Sequence, residues 1–247
     1  MVEKKATVII QARTGSTRFP GKVLKKIVGK PSLVHSIERV KRMKTVDKIV
    51  IATTTLPEDD SIVKTVEDYD KNIFVYRGSS NDVLDRYYQA AKKAGADAIV
   101  RITSDNPLVD PGVSDLVVKK FFEKNCDYCC NNLPCRTYPI GLDTEVFTFK
   151  SLEKAWRETS QPYDREHVTP YIKENPEIFR IATVQNEDNL SEYRWTMDHP
   201  EDYDFINTIY EKLYNKKKEF NMKDVIDLLK KEPEILIINK IYSQENP

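Results

Sequence analysis

Four short runs rich in Val, Ile or aromatic residues, Ala6–Gln11, Lys48–Thr53, Ile73–Tyr76 and Ala98–Ile102, alternate with helical patterns along the first half of the chain. Pro31 opens the first helical pattern, in which Leu33, Val34, Ile37, Val40 and Met43 recur at helical spacing. A second follows Pro57 with Ile62, Val63 and Val66, and a third starts near Asp82 with Val83, Leu84, Tyr87, Tyr88 and Ala91. A fourth follows Pro111 and carries Val113, Leu116, Val117 and Phe121. Repeated β-α units of this length predict an α/β fold, a mostly parallel sheet covered by helices on both faces. In such sheets ligands sit beyond the carboxyl ends of the strands.

After Cys126 the rhythm changes. Leu142–Phe149 and Phe179–Gln185 read as strands, as does Arg194–Met197, while Ser151–Thr159 and Tyr163–Glu174 read as helices. Pro200 introduces another helix through Tyr203, Ile206, Ile209, Tyr210 and Leu213, and Met222–Leu229 is a last amphipathic segment before a polar tail. With no internal repeat or low-complexity linker, the 247 residues are read as one domain, 1–247. Residues 128–189 form an inserted region suited to acceptor binding or dimerisation.

The 39 basic and 39 acidic side chains cancel, which argues against a dedicated nucleic-acid binder. A small phosphorylated ligand needs only a local group of cations. No apolar run approaches the about 20 residues of a membrane span. Met1–Lys5 leads straight into the first strand without the apolar stretch of a signal peptide, so a cytoplasmic protein is expected. The four cysteines fall between Cys126 and Cys135. Cys126 and Cys129 have metal-ligand spacing, but no second pair follows, and buried thiols acting as small apolar residues fit the surroundings better.

The stretch Gln11-Ala-Arg-Thr-Gly-Ser-Thr-Arg-Phe-Pro-Gly-Lys22, directly after the first strand, joins glycines and hydroxyls to two arginines and a lysine. Glycines let backbone N–H groups approach a phosphate, arginine supplies forked donors and lysine a mobile charge. It is not a P-loop, since five residues separate Gly15 from Gly21 and Val23 follows Lys22. It is not a dinucleotide fingerprint either, because no two of the glycines are two positions apart.

Arg13-Thr-Gly-Ser-Thr-Arg-Phe-Pro-Gly-Lys22 resembles the R-x-x-S-x-R-L-P-G-K signature of the cytidylyltransferases that make CMP-activated sugars. The likeness is greatest to the branch named for spore coat polysaccharide biosynthesis protein F. Further blocks of that branch are matched by Arg77–Arg86, Arg101–Pro111, Tyr138–Glu145, Asp164–Tyr171 and Arg194–Asp202, in order, so the resemblance spans roughly Val8 to Ile209. Phe19 replaces the usual leucine, and Ser104 and Asn106 replace Gly and Cys beside Asp105. Glycine reaches backbone angles that serine avoids.

The resemblance implies a three-layer, Rossmann-like nucleotidyltransferase fold of the GT-A-like kind, and transfer of CMP from CTP to a small acceptor. Catalytic roles fall on Lys22, Arg13, Asp105 and Asp198, with the two aspartates holding Mg²⁺. Nucleotide contacts are implied for Ala12, Arg13, Thr14, Gly15, Ser16, Arg18 and Lys22. For the base, which needs donors toward cytosine O2 and N3 and an acceptor for its amino group, the candidates are Thr54, Arg77, Ser79 and Asp82, while Arg86 is read as a salt bridge within its helix and Asp82 equally as an N-cap. Tyr138, Asp143, Glu145, Arg165 and His167 match acceptor positions, with Arg165 suited to clamp an anion. The acceptor is expected to be polar and anionic, and the protein a homodimer. The bland readings of the aspartates are an N-cap for Asp198 and a turn residue for Asp105. Two alternatives keep the fold: a glycosyltransferase using a nucleotide sugar, which would need a D-x-D-like pair absent from Ala98–Pro111, and a non-catalytic nucleotide-binding relative.

Overall fold

The computed structural model describes residues 6–242; the reading of Met1–Lys5 and the end of the polar tail lie outside the described residues. The strands are β1 (Ala6–Gln11), β2 (Lys26–Ile27), β3 (Lys30–Pro31), β4 (Val46–Thr54), β5 (Phe74–Gly78), β6 (Ala98–Thr103), β7 (Tyr128–Cys130), β8 (Glu145–Thr148) and β9 (Ile181–Thr183). The helices are α1 (Ser32–Val40), α2 (Asp60–Tyr69), α3 (Val83–Ala94), α4 (Pro111–Lys124), α5 (Phe149–Glu158), α6 (Pro162–His167), α7 (Pro170–Lys173), α8 (Pro200–Leu213) and α9 (Met222–Lys231). Seven strands form one sheet in the order β5-β4-β1-β6-β8-β7-β9, while β2 and β3 pair separately. The pairs β1·β4, β1·β6, β4·β5 and β7·β9 are parallel; β8 alone runs against its neighbours β6 and β7. The mostly parallel α/β sheet expected from the strand–helix alternation is present.

Alternation along the strands divides the core. Val8 and Ile10 of β1 face Leu33 and Ile37 of α1, Ile62 of α2 and Val117 of α4. Ile9 faces the other way, toward Leu84 and Tyr87 of α3, with Leu152 of α5 and Ile172 of α7 in the same layer. A third apolar cluster gathers Trp195, Phe205, Ile209, Phe220 and Leu229 around α8 and α9. Cys126 and Cys129 fill the first cluster and Cys130 the second.

Local chemistry sets the helix ends. Asp82 caps α3 by accepting from Asp85 N at 2.8 Å, and Gly95 ends it in a left-handed turn. Asp110 caps α4 ahead of Pro111. Two strand or helix expectations need correction. Tyr163–Glu174 is two helices, α6 and α7, because Val168 turns left-handed (φ 71°) and Pro170 has no N–H to continue the ladder. Arg194–Met197 is extended but forms no strand: Trp195 N bonds Ile140 O at 2.7 Å while Met197 N bonds Asp105 O at 2.8 Å, so it passes between two partners. Residues 128–189 contribute β7, β8 and β9 to the sheet, together with α5 to α7.

Candidate active site

A cavity of about 600 Å³ opens beyond the carboxyl ends of β1 and β6. Its floor follows from register: Gln11 of β1 lies opposite Thr103 of β6, and both strands run directly into loops there. The loop after β1 is folded on itself, because the Thr14 carbonyl accepts from Ser16 N at 2.8 Å and from Gly21 N at 2.9 Å. Asp59 anchors it from outside, accepting from Thr14 N and Thr14 Oγ1 at 2.7 Å each and from the Thr54 hydroxyl. So braced, the loop turns Lys22 inward.

The Lys22 ammonium, only 8% exposed, stands between Asp105 Oδ2 at 3.1 Å and Asp198 Oδ1 at 2.7 Å. Those carboxylates lie 83 and 176 residues away along the chain. Arg18 Nη2 reaches Asp198 Oδ2 at 3.2 Å and Arg194 Nη2 reaches the same oxygen at 3.3 Å. Arg194 also pairs with the buried Asp202, which in turn accepts from Asp198 N at 3.0 Å. Lys22, Arg18 and Arg194 thus balance Asp105, Asp198 and Asp202, three cations against three carboxylates. Burial disfavours the charged Lys22, but Asp105 and Asp198 outweigh it and raise its pKa. Burial likewise opposes ionised Asp105, yet Lys22 and the Thr103 hydroxyl hold its carboxyl below the usual range.

Asp198 reaches Asp105 because Gly141 lets two backbones cross. A Cβ at Gly141 would lie 2.6 Å from Trp195 C and 2.7 Å from Thr196 N, and its φ of +102° also excludes most side chains. Ser104 needs no such freedom: the left-handed non-glycine residues among those described are Val28, Asn125 and Val168.

Of the residues singled out from sequence, Ala12, Arg13, Ser16, Arg18, Lys22, Asp105, Asp198, Asp143, Glu145 and His167 line the cavity. Thr14, Gly15, Thr54, Arg77, Ser79, Asp82, Tyr138 and Arg165 do not. Arg77 is taken up by Thr54 O at 2.9 Å, Leu56 O at 3.0 Å and Asp60 at 2.6 Å. Ser79 Oγ accepts from Asp82 N at 3.0 Å, and Tyr138 is buried. The anion clamp expected of Arg165 is corrected: its guanidinium binds Asp82 and donates to Trp156 O at 2.9 Å, joining α6 to the start of α3. Asp82 is therefore an N-cap and a structural ion-pair partner.

The far end of the cavity carries residues that sequence reasoning did not single out. Arg101 pairs with buried Glu145, which also accepts from Tyr128 Oη at 2.5 Å and Thr169 Oγ1 at 2.7 Å. Arg136 forks onto Asp143. Lys173 and His167 complete this wall. Burial, and the positive charges of Arg101 and Lys173, keep His167 below the ordinary histidine value against the opposing pull of Glu166. Arg101 could have been suspected from its place two residues before Thr103 on the same strand face; Lys173 carried no motif.

A family model described as cytidylyltransferase matches residues 7–233. A protein from Methanocaldococcus jannaschii is 40% identical over 246 residues, covering 96% of each chain. The spore coat polysaccharide biosynthesis protein SpsF of Bacillus subtilis is 32% identical over 237 residues, covering 92% of this chain and 94% of its own. The solved structure of a cytidylyltransferase from Leptospira borgpetersenii superposes with a TM-score of 0.89 at 35% identity, covering 99% of each chain.

Proposed function

This chain belongs to the cytidylyltransferase family, and from that premise we propose that it moves CMP from CTP onto an oxygen of a small polar acceptor, releasing pyrophosphate. The observation that carries this reading is the Lys22 ammonium held between Asp105 and Asp198 at the end of a cationic loop. Arg13, Arg18 and Lys22 bind the triphosphate, and loop N–H groups complete the cradle. The acceptor oxygen attacks the α-phosphorus in line as the β,γ-pyrophosphate departs. Negative charge grows on the non-bridging and leaving oxygens, where fixed cations stabilise it. Positioning of the reactants within one cavity supplies much of the remaining advantage.

The donor set fits a hard divalent cation. Two carboxylates face one point where a cationic group already stands, and both are oxygen donors of the kind Mg²⁺ takes alongside retained waters. Asp105 and Asp198 would hold Mg²⁺, which when bound neutralises phosphate oxygens. Arg18, whose side chain is 45% exposed, is free to reach from Asp198 to a phosphate oxygen.

The acceptor occupies the far wall, between Arg136–Asp143 and Arg101–Glu145. Lys173 has no ion-pair partner among the described residues and supplies charge for an anionic group. His167, neutral near pH 7, accepts the acceptor's hydroxyl proton. A sugar acid or sugar phosphate suits this wall, consistent with the polysaccharide role in the name of the Bacillus relative. The test is pyrophosphate release from each of the four nucleoside triphosphates with Mg²⁺ over a panel of sugar acids, sugar phosphates and phosphorylated polyols. Release with CTP and an anionic acceptor supports the reading; preference for GTP or UTP overturns it.

A further inference from the structure

Arg86 of α3 is 1% exposed, yet it forms no ion pair with any carboxylate among the described residues. Arginine is rarely so buried unless paired. The salt bridge within its helix expected from sequence is not formed: Nη1 donates to the Ser79 carbonyl, and Nε is buried without an acceptor. Burial weakens its charged form, and the positive charge of Arg13 adds to that, against a weaker opposing pull from Tyr87, Asp59 and Asp82. The side chain is nevertheless firmly seated. A Cβ at Gly78 would fall 3.1 Å from Arg86 Cγ and 2.7 Å from the Tyr76 ring, so any larger residue there would have to displace one of these side chains.

Arg86 lines the nucleotide end of the cavity beside Val83. Gln11 lines it too, and its buried Oε1 has no hydrogen-bond donor. Gln11 lies two residues after Ile9, which packs against α3, so both face the same side of the sheet. An unpaired donor and an unpaired acceptor, each buried with almost no exposed surface, therefore lie in the wall of one cavity, beside the apolar side chain of Val83. Thr54 and Arg77, the base-reading candidates from sequence, are bound elsewhere.

We infer that Arg86 and Gln11 read the nucleotide base, Arg86 donating to cytosine O2 and N3 and Gln11 Oε1 accepting from the 4-amino group. A guanidinium only donates, so it satisfies the N3 lone pair of cytosine and confronts the N3–H of uracil. Phosphates are a poorer match, because Arg13, Arg18 and Lys22 already serve them and Val83 suits a flat base. The inference rests on the CTP reading above and adds the residues that select the base.

The test is calorimetric binding of CTP and UTP to the full chain, wild type against Arg86→Gln, Arg86→Lys and Gln11→Glu. Wild type should prefer CTP, and Arg86→Gln should shrink the CTP:UTP affinity ratio by about 10- to 100-fold, the range for a lost bidentate base contact. Arg86→Lys keeps charge and stem without the planar fork, so it should fold even where the glutamine variant does not, and lose selectivity similarly. Gln11→Glu, which can only accept, should widen the ratio. Equal weakening of both nucleotides by the Arg86 variants would put Arg86 on the phosphates and overturn the assignment, as would a narrowed ratio in Gln11→Glu. A wild type that does not distinguish CTP from UTP would defeat the CTP reading itself, and this assignment with it.

Discussion

Replacing Lys22 by Met keeps the stem and removes the charge that joins the two halves of the site. Removing one partner of a buried ion pair commonly costs about 3–5 kcal/mol. Here the cost is smaller, because Asp105 is half-buried and can regain water, while Asp198 keeps Arg18 at 3.2 Å and Arg194 at 3.3 Å. A loss of about 1–3 kcal/mol is expected, which lowers the melting temperature by about 2–12 °C in a chain of this size. Turnover should fall further than stability: losing a group that stabilises charge in the transition state costs about 10²–10³ in kcat. Pyrophosphate release measured well below the lowered melting point separates the two effects. A folded Lys22→Met protein with wild-type turnover would refute the argument, since the ammonium would then be a structural counter-ion only.

Gly141→Ala places a methyl group against the Trp195–Thr196 backbone and should cost more than about 4 kcal/mol, in the range reserved for severe steric conflict; urea unfolding checks this, and a change under about 0.5 kcal/mol would contradict it. Arg165→Ala should lose its partly exposed tie to Asp82 and its hydrogen bond to Trp156 O, about 1–2 kcal/mol together, and leave the acceptor KM unchanged; a large rise in that KM would return Arg165 to the acceptor site. Burial opposes ionised Glu145, but Arg101, Tyr128 and Thr169 outweigh it and hold its pKa below the ordinary value. Its stabilisation is therefore complete above the unfolded pKa of about 4.3 and is lost as pH falls through the lower folded value. Glu145→Gln should flatten that part of the acid limb in unfolding curves, and an unchanged slope would count against the cause given.

The β-α half of the fold was legible because each strand is a short apolar run and each helix announces its start, as Pro31, Asp82 and Pro111 do. β1 matches its expected bounds at both ends. Arg194–Met197 was misread because apolar alternation reports burial, and this segment is buried between two unlike partners rather than along a strand. At the site, the cationic loop and both aspartates were visible as residue types, and the fold brings them together. Sequence could not show which charges are already engaged. Arg77, Arg165 and Thr54 carry the right chemistry for ligands, yet their groups are directed to Asp60, Asp82 and Asp59. Arg86 shows the converse: a helical arginine with acidic neighbours in sequence that forms no ion pair with a carboxylate among the described residues.

The most direct test follows the α-phosphate of labelled CTP in wild type, Asp105→Asn and Asp198→Asn, with Mg²⁺ and an anionic acceptor. The account predicts label in the acceptor with one pyrophosphate released per transfer, and a fall of at least about 100-fold in both variants. Undiminished labelling in either variant, or label that never leaves the nucleotide in the wild type, would contradict it.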